Sequence, residues 1–157
     1  MRSIILLIFV VICLTACERN QVFEKNTGIK GHEWSHTDKI PFTVEIQDTA
    51  ATYDLYVNVR HSTSYNFTNL YLNIHTFYPS GKKGTLTKRV ELGSNDELKW
   101  LGECLNDICY RQAEIIKGMK FPERGEYKFL VEQIMRTDPL PDIMSVGLRV
   151  EKHNYDK

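Results

Sequence analysis

A period-two alternation of apolar and polar residues is the feature that most constrains how this chain can fold. Residues 40–47 alternate apolar and polar side chains, and residues 53–60 repeat the pattern. Successive side chains of a β-strand point to opposite faces, so each segment predicts a strand with one buried face. Similar or β-rich stretches follow at residues 70–74, 85–91, 108–119, 127–131 and 144–151. Spacing within 108–119 would also suit a helix, but its β-branched pair favours a strand.

These strands, about seven in all, define the fold class, because the apolar face of a sheet must be covered. With no helix predicted, a second sheet must cover it, which gives a β-sandwich. We therefore predict one all-β domain over residues 40–157, with Ig-like or jelly-roll topology. Residues 17–39 are polar and carry Gly28 and Gly31, so they are predicted to be a tether.

The N-terminus predicts secretion and lipidation. Arg2 precedes an apolar run over residues 4–14, which is shorter than the roughly 18 residues of a membrane span and fits a signal peptide. The sequence Leu14-Thr15-Ala16-Cys17 resembles a bacterial lipobox, which implies removal of residues 1–16 and a diacylglycerol and an N-acyl chain on Cys17. An ordinary cleaved signal, with Cys17 incidental, is the alternative. Two or more acyl chains anchor a protein stably, so the domain would sit on a membrane without crossing it.

The charge of the chain limits the classes of partner that we expect, and its cysteines allow one local disulfide. Loss of residues 1–16 removes one basic residue, which leaves 19 basic and 20 acidic side chains. No basic or acidic tract is present, so nucleic acid is not an expected partner. Cys104 and Cys109 remain after the lipidated cysteine. In an oxidising compartment they can form a local disulfide or stay as two thiols, and their spacing is not the C-x-x-C of redox proteins.

The sequence HEWSH, residues 32–36, matches the H-E-x-x-H pattern of zinc peptidases. That pattern binds zinc only on a helix, where both histidines share one face. Gly31 and Pro41 flank the segment, and no apolar stripe would dock a helix there. We predict solvated loop residues beside a packed Trp34, and neither a metal, a cofactor nor a catalytic set.

Aromatic residues on the polar faces of two predicted strands are candidates for a binding surface. These are Tyr56, Tyr71, His75 and Phe77. Exposed aromatic rings can form a partner-binding patch, for which we select Tyr56 and Tyr71. The alternative is that these rings cover an edge or the space between the sheets. The acidic residues are dispersed, so no carboxylate pair for glycoside hydrolysis is evident.

Four stretches together resemble the family of gliding motility lipoproteins GldH. They are YDLYVNVRHSTSYNFTNLYLNI at 53–74, KWLG at 99–102, FPERGEY at 121–127 with VEQIMR at 131–136, and VGLRVEK at 146–152. The resemblance implies a non-enzymatic outer-membrane lipoprotein, on the periplasmic face, needed for gliding and linked to type IX secretion. Its expected partners are other envelope proteins of that machinery, with no small-molecule ligand. Only the lipidated Cys17 transfers as a functional residue. A glycan-binding accessory lipoprotein is the alternative.

Overall fold

The computed structural model describes residues 20–94 and 99–154. These residues contain thirteen β-strands and one 3₁₀ turn. The long strands are β1 (Gln21–Gly28), β3 (Ile40–Ile46), β4 (Thr52–Ser62), β5 (Asn69–Phe77), β6 (Lys83–Glu91), β10 (Ile108–Lys120), β11 (Gly125–Gln133) and β13 (Ile143–Lys152). The short strands are β2 (Glu33–Trp34), β7 (Gly93–Ser94), β8 (Lys99–Trp100), β9 (Glu103–Leu105) and β12 (Leu140–Pro141). Each of the seven predicted strands is present, and residues 108–120 form a strand, as predicted.

Two antiparallel sheets contain all the long strands. Sheet I has the strand order β1-β13-β4-β10-β9, and sheet II has the order β3-β11-β5-β6. The short strands β2 and β12 form one small ladder, and β7 and β8 form another. The buried faces of sheets I and II meet in a single hydrophobic core. The predicted all-β sandwich is thus confirmed.

The core follows from the alternation in the sequence. In β3 every second residue, from Ile40 to Ile46, is buried, and the residues between them are exposed. At one end of the core a row of rings joins the sheets: Tyr53 of sheet I lies 5.2 Å from Phe121, and Phe121 lies 4.7 Å from Tyr127 of sheet II. Each edge-to-face pair of this kind contributes roughly 0.5–1.5 kcal/mol beyond the burial of its area. The rings therefore fix the spacing of the two sheets.

The domain begins earlier than the sequence predicts. The segment Gln21–Gly28, expected to be part of a tether, is strand β1 and pairs with β13 along its length. Its Phe23 ring contacts Phe42 of sheet II at 6.5 Å, edge to face. The boundary predicted at residue 40 is therefore corrected to residue 21. Alternation did not reveal β1 because an edge strand is held mainly by its backbone ladder, with little burial of its own.

The outer face of sheet I is crossed by a hydrogen-bonded polar network centred on Asn58, which is only 1% exposed. Its amide nitrogen donates to Glu24 Oε1 at 2.9 Å and to Asn26 Oδ1 at 3.2 Å, both on β1. Its amide oxygen accepts from Gln112 of β10 at 3.1 Å. Arg149 Nη1 of β13 donates to the second oxygen of Glu24 at 2.8 Å. Four strands of sheet I are thereby joined through their side chains.

The outer face of sheet II has its own network around Glu132. Lys39 Nζ lies 2.6 Å from one carboxylate oxygen, and Asn73 Nδ2 and His75 Nε2 each lie 3.0 Å from the other. Burial raises the pKa of Glu132, but these three donors outweigh it and hold the pKa at about 2, against an ordinary value of 4.5. The carboxylate therefore stays ionised throughout the ordinary pH range.

Gly147 provides a test of whether β1 belongs to the folded domain. A Cβ at this position would collide with the Asn26 side chain and lie 2.7 Å from the carbonyl oxygen of Lys25, both on β1. We expect Gly147→Ala to destabilise the protein by about 1–3 kcal/mol, measured by urea denaturation, since the strand must shift. Gly28→Ala is the matched control, because nothing lies within 4 Å of its added Cβ. Equal stabilities of the two variants would contradict the pairing.

Glu132 predicts a specific loss of stability in acid. A carboxyl whose pKa is lowered by folding stabilises the fold above its unfolded pKa and loses that contribution as pH falls through the folded pKa. We expect Glu132→Gln to cost about 1–2 kcal/mol at pH 7 in urea denaturation, allowing for solvent screening. The difference in the free energy of unfolding between this variant and the wild type should disappear as the pH falls from 4.5 to about 2. Glu126→Gln is the control, since its partly exposed carboxylate lies 3.5 Å from Lys128, and it should show little gap at any pH.

Candidate partner-binding surface

The HEWSH segment does not form the helix that a zinc peptidase needs. Lys30–His32 is a 3₁₀ turn in which Gly31 and His32 have φ of 65° and 58°, and Glu33–Trp34 pairs with β12. Trp34 is buried, as expected, and its indole nitrogen donates to the Asp38 carbonyl at 2.8 Å. The His36 side chain is 42% exposed, and its Nε2 bonds the carbonyl oxygen of Met135 at 2.9 Å.

Residues 20–94 and 99–154 contain no cluster of side chains that could hold a metal ion. Nowhere in these ranges do three His, Cys, Asp or Glu side chains come together as metal ligands would. The same ranges contain no helix long and apolar enough to cross a membrane. Cys17 and the predicted signal peptide, residues 1–16, lie outside the described residues.

The two tyrosines predicted as one surface lie on opposite sides of the molecule. Tyr56 belongs to β4 of sheet I and Tyr71 to β5 of sheet II, and each faces away from the core. Tyr56 lies opposite Arg149 in the strand register, and burial raises the pKa of its phenol. Tyr71 is 39% exposed beside the Glu132 network. A single patch containing both is therefore ruled out, since alternation reveals the face of a strand but not the sheet it joins.

A disulfide-bridged hairpin presents the most exposed large apolar side chain among the described residues. Leu105 ends β9 and is 78% exposed. β10 begins at Ile108, after a turn of two residues, and Leu105 pairs with Ile108 across this turn. Cys104 and Cys109 are directly opposite each other in this ladder, and their sulfurs are bonded. The leucine is thus held in water by a closed covalent loop.

The turn and base of the hairpin are also fixed by backbone contacts. Asn106 has φ of 52°, a left-handed conformation that asparagine tolerates in two-residue turns. The carbonyl of Asp107 accepts from the backbone nitrogen of Thr63 at 2.9 Å. Gly102 has φ of 88°, and a Cβ there would collide with the carbonyl oxygen of Tyr110. A cavity of about 650 Å³ beside the hairpin is bordered by Arg60 and by residues of the hairpin itself.

An aromatic cluster lies at the same end of the sandwich. Buried His61 has its ring 4.6 Å from that of Trp100 and 5.7 Å from that of Tyr65. Phe67 extends the cluster, with its ring 5.6 Å from Tyr65. Tyr65, Phe67 and Trp100 line a cleft of about 280 Å³ with Thr68 and neighbouring residues.

The polar groups of this cluster are uncharged at neutral pH. Burial lowers the pKa of His61, whose Nδ1 bonds its neighbour's carbonyl, Ser62 O, at 2.9 Å. Burial raises the pKa of Tyr65, whose hydroxyl donates to Asn69 O at 3.0 Å. The aromatic wall of the cleft is therefore uncharged, and Asn66, Ser94 and Lys99 complete the lining. We call the hairpin Glu103–Tyr110 together with Tyr65, Phe67 and Trp100 the hairpin end.

Sequence reasoning missed the hairpin end, although a signal was present. The two cysteines of CLNDIC enclose Leu105, Asn106, Asp107 and Ile108, and both Asn and Asp favour turns. None of the predicted strands, however, lies within residues 92–107. The arrangement is suited to binding: an apolar side chain projects from a rigid support beside an apolar cleft.

Comparison with known proteins gives the chain a family. A family model described as GldH lipoprotein matches residues 21–150. A protein of Christiangramia forsetii, named gliding motility lipoprotein GldH homolog, is 29% identical over an alignment of 157 positions that covers 96% of this chain and 95% of that protein. The gliding motility lipoprotein GldH of Flavobacterium johnsoniae is 27% identical over 154 residues, with 94% of each chain covered.

Solved structures add no further conclusion. A family GH115 4-O-methyl-α-glucuronidase is similar over 88% of this chain and 18% of its own, with 11% identity and a TM-score of 0.41. A score at that level does not support a shared fold. The family match, by contrast, runs from the first residue of β1 to Val150 in β13. The chain therefore belongs to the GldH lipoprotein family of gliding motility lipoproteins.

Proposed function

We propose that this protein is an outer-membrane lipoprotein, anchored on the periplasmic face through Cys17, that serves gliding motility by binding another envelope protein. The lipobox-like sequence ending at Cys17 supports the anchor, with a diacylglycerol on the sulfur and an acyl chain such as palmitate on the nitrogen. Family membership supports the role in gliding, and we extend it to the type IX secretion machinery. The role is non-enzymatic and needs no cofactor.

One observation supports the hairpin end as the binding surface: Leu105 is held 78% exposed by a disulfide-bridged hairpin. Burying a leucine side chain is favourable by roughly 1.5–3 kcal/mol, so an exposed one forgoes that free energy until a partner covers it. A rigid support lets the partner gain this free energy with little loss of conformational entropy. The adjacent cleft of Trp100 and Phe67 can accept an apolar side chain in return.

The outer faces of the two sheets are less suited to this role. Asn58 on sheet I and Glu132 on sheet II already have partners within the chain for their side-chain oxygens. A binding protein would have to desolvate these networks without offering better hydrogen bonds. The ends of the sandwich remain the better candidates.

A glycan-binding role is the second function considered from the sequence, and ring geometry does not favour it. The rings of Tyr65 and Trp100 are tilted by 43°, and those of Tyr65 and Phe67 by 67°. Sugar stacking on several rings needs a flat platform. The tilted walls instead suit a side chain inserted from a protein partner.

The lipid anchor is tested by mass spectrometry of the native protein. The N-terminal peptide should begin at Cys17 and carry the mass of its acyl chains. Cys17→Ser should release the protein from the membrane fraction while its urea midpoint stays that of the wild type, because β1 begins only at Gln21. An intact N-terminus with an unmodified Cys17 would refute the anchor.

The binding surface is tested by Leu105→Ser. Because the side chain is mostly in water, the substitution should change the free energy of unfolding by less than about 0.5 kcal/mol. We expect it to lower crosslinking of the protein to its envelope partner and to slow colony spreading. Val22→Ser is the matched control, since Val22 is a 38% exposed aliphatic residue on the edge strand β1, at the other end of the sandwich from the hairpin. Equal effects of the two substitutions, or none from Leu105→Ser, would remove the hairpin from the proposal.

A further inference from the structure

The described chain begins at one end of the sandwich, opposite the hairpin end. The carbonyl of Asn20 accepts from the backbone nitrogen of Lys152 at 2.7 Å, and Thr52 pairs with Lys120 at the same end. At the other end of the same strands, Ser62 pairs with Ile108, the residue opposite Leu105. We call the end that holds Asn20 the tether end. It comprises Asn20, the loops 47–52, 78–83 and 120–125, and residues 152–154.

Very little chain separates this end from the proposed lipid anchor. Asn20 is the third residue after Cys17. Three residues span at most about 11 Å even when fully extended. A domain anchored at Cys17 therefore cannot lie far from the bilayer, and its nearest part must be the tether end.

The charge of the tether end complements a phospholipid surface. The segments that form it contain five cations, Lys82, Lys83, Lys120, Arg124 and Lys152, all exposed, against two carboxylates, Asp48 and Glu123. The carboxylates already have partners: Asp48 lies 2.9 Å from Lys152 Nζ, and Glu123 accepts from the Ser80 hydroxyl at 2.8 Å. A further exposed cation, Lys117, lines the same shallow cavity as Asn20, together with the carboxylates of Asp54, Glu114 and Glu151. Asp54 is paired with His153, and Glu151 is paired with Arg149.

At the opposite end, carboxylates outnumber cations among the described loop residues. The loops 29–39, 62–69, 99–108 and 134–142 contain four cations, Lys30, Lys39, Lys99 and Arg136, and six carboxylates, Glu33, Asp38, Glu103, Asp107, Asp138 and Asp142. The domain is therefore electrically polar along its long axis. An anionic surface near the tether would attract the tether end and repel the hairpin end.

We infer that the tether end lies against the anionic phospholipid headgroups of the leaflet that holds the lipid chains, with Lys82, Lys83, Lys117 and Lys120 facing the headgroups. The inference rests on the lipidation of Cys17 proposed above. Electrostatic attraction is screened over about 8 Å at physiological ionic strength, and a tether of about 11 Å keeps the cations near that range. The attraction then selects one orientation among those that the tether allows.

This orientation determines where the hairpin end lies. Strand β4 runs from the tether end to the hairpin end over 11 residues, which corresponds to about 35 Å. Leu105 is thus presented well away from the headgroups, into the aqueous space where a partner is met. The membrane-facing and partner-facing surfaces are the two opposite ends of one rigid sandwich.

Amine acylation of lysines, read by mass spectrometry, tests the orientation. Because Cys104 and Cys109 are bonded, Cys17 is the one free thiol of the mature chain, residues 17–157, and it can be coupled to a maleimide phospholipid. The coupled protein is placed on phosphatidylcholine vesicles with or without phosphatidylglycerol. We expect the acylation rates of Lys82, Lys83, Lys117 and Lys120 to fall several-fold on the phosphatidylglycerol vesicles and to recover in high salt. Lys30 and Lys99, at the opposite end, should react at unchanged rates.

Charge reversal provides matched variants. Lys82→Glu with Lys83→Glu should restore the acylation of Lys117 and Lys120, whereas Lys30→Glu with Lys99→Glu should leave their protection unchanged. Uniform acylation at both ends on phosphatidylglycerol vesicles, or equal protection at both, would overturn the inference. Because the coupling is chemical, this result is independent of the N-terminal mass of the native protein, which tests the proposed anchor separately.

Discussion

Burial of one face of the central strands between two sheets is the constraint on which the rest of this structure depends. Strand β4 contributes most to this burial, because it lies at the centre of sheet I with β13 on one side and β10 on the other. Its residues from Tyr53 to Val59 that face sheet II are at most 1% exposed. The ring row from Tyr53 through Phe121 to Tyr127 closes the core at the tether end. With the sheets fixed in this way, the two ends differ through their loops alone.

Alternation in the sequence predicted the strands of the core well. In a half-buried strand every second side chain is buried, so the sequence alternates between apolar and polar residues. It said little where backbone pairing dominates. Strand β1 has few apolar residues of its own and is held by its ladder to β13, so it looked like a tether. Strand β9 has three exposed residues and depends on its turn and its disulfide. The prediction that Tyr56 and Tyr71 share one surface was wrong for a related reason. Alternation shows that each side chain faces away from the core, but it does not show which sheet each strand joins.

The proposed binding surface was harder to predict than the fold because it is built from connections. Trp100 is distant in the sequence from His61 and Tyr65, and only the packed sandwich brings its ring against theirs. The edges of sheet II, by contrast, carry residues that discourage strand addition. Pro41 removes a backbone donor from β3, and Lys88 of β6 sits opposite the buried Leu72, on the inner face of the edge. The partner binding that we propose is thereby left to side chains at the ends.

The direction of β1 has a mechanical consequence. This strand starts at the end nearest the proposed lipid anchor and runs antiparallel to β13 towards the opposite end, joined to it by seven residue pairs. Ladder hydrogen bonds in antiparallel sheets lie across the strand axis. A force between an anchor at one end and a partner at the other would act along that axis, so it would load all these bonds together in shear. Peeling them one at a time would require a sideways force. The edge strand nearest the anchor is thus placed to resist traction, which suits a protein of surface movement.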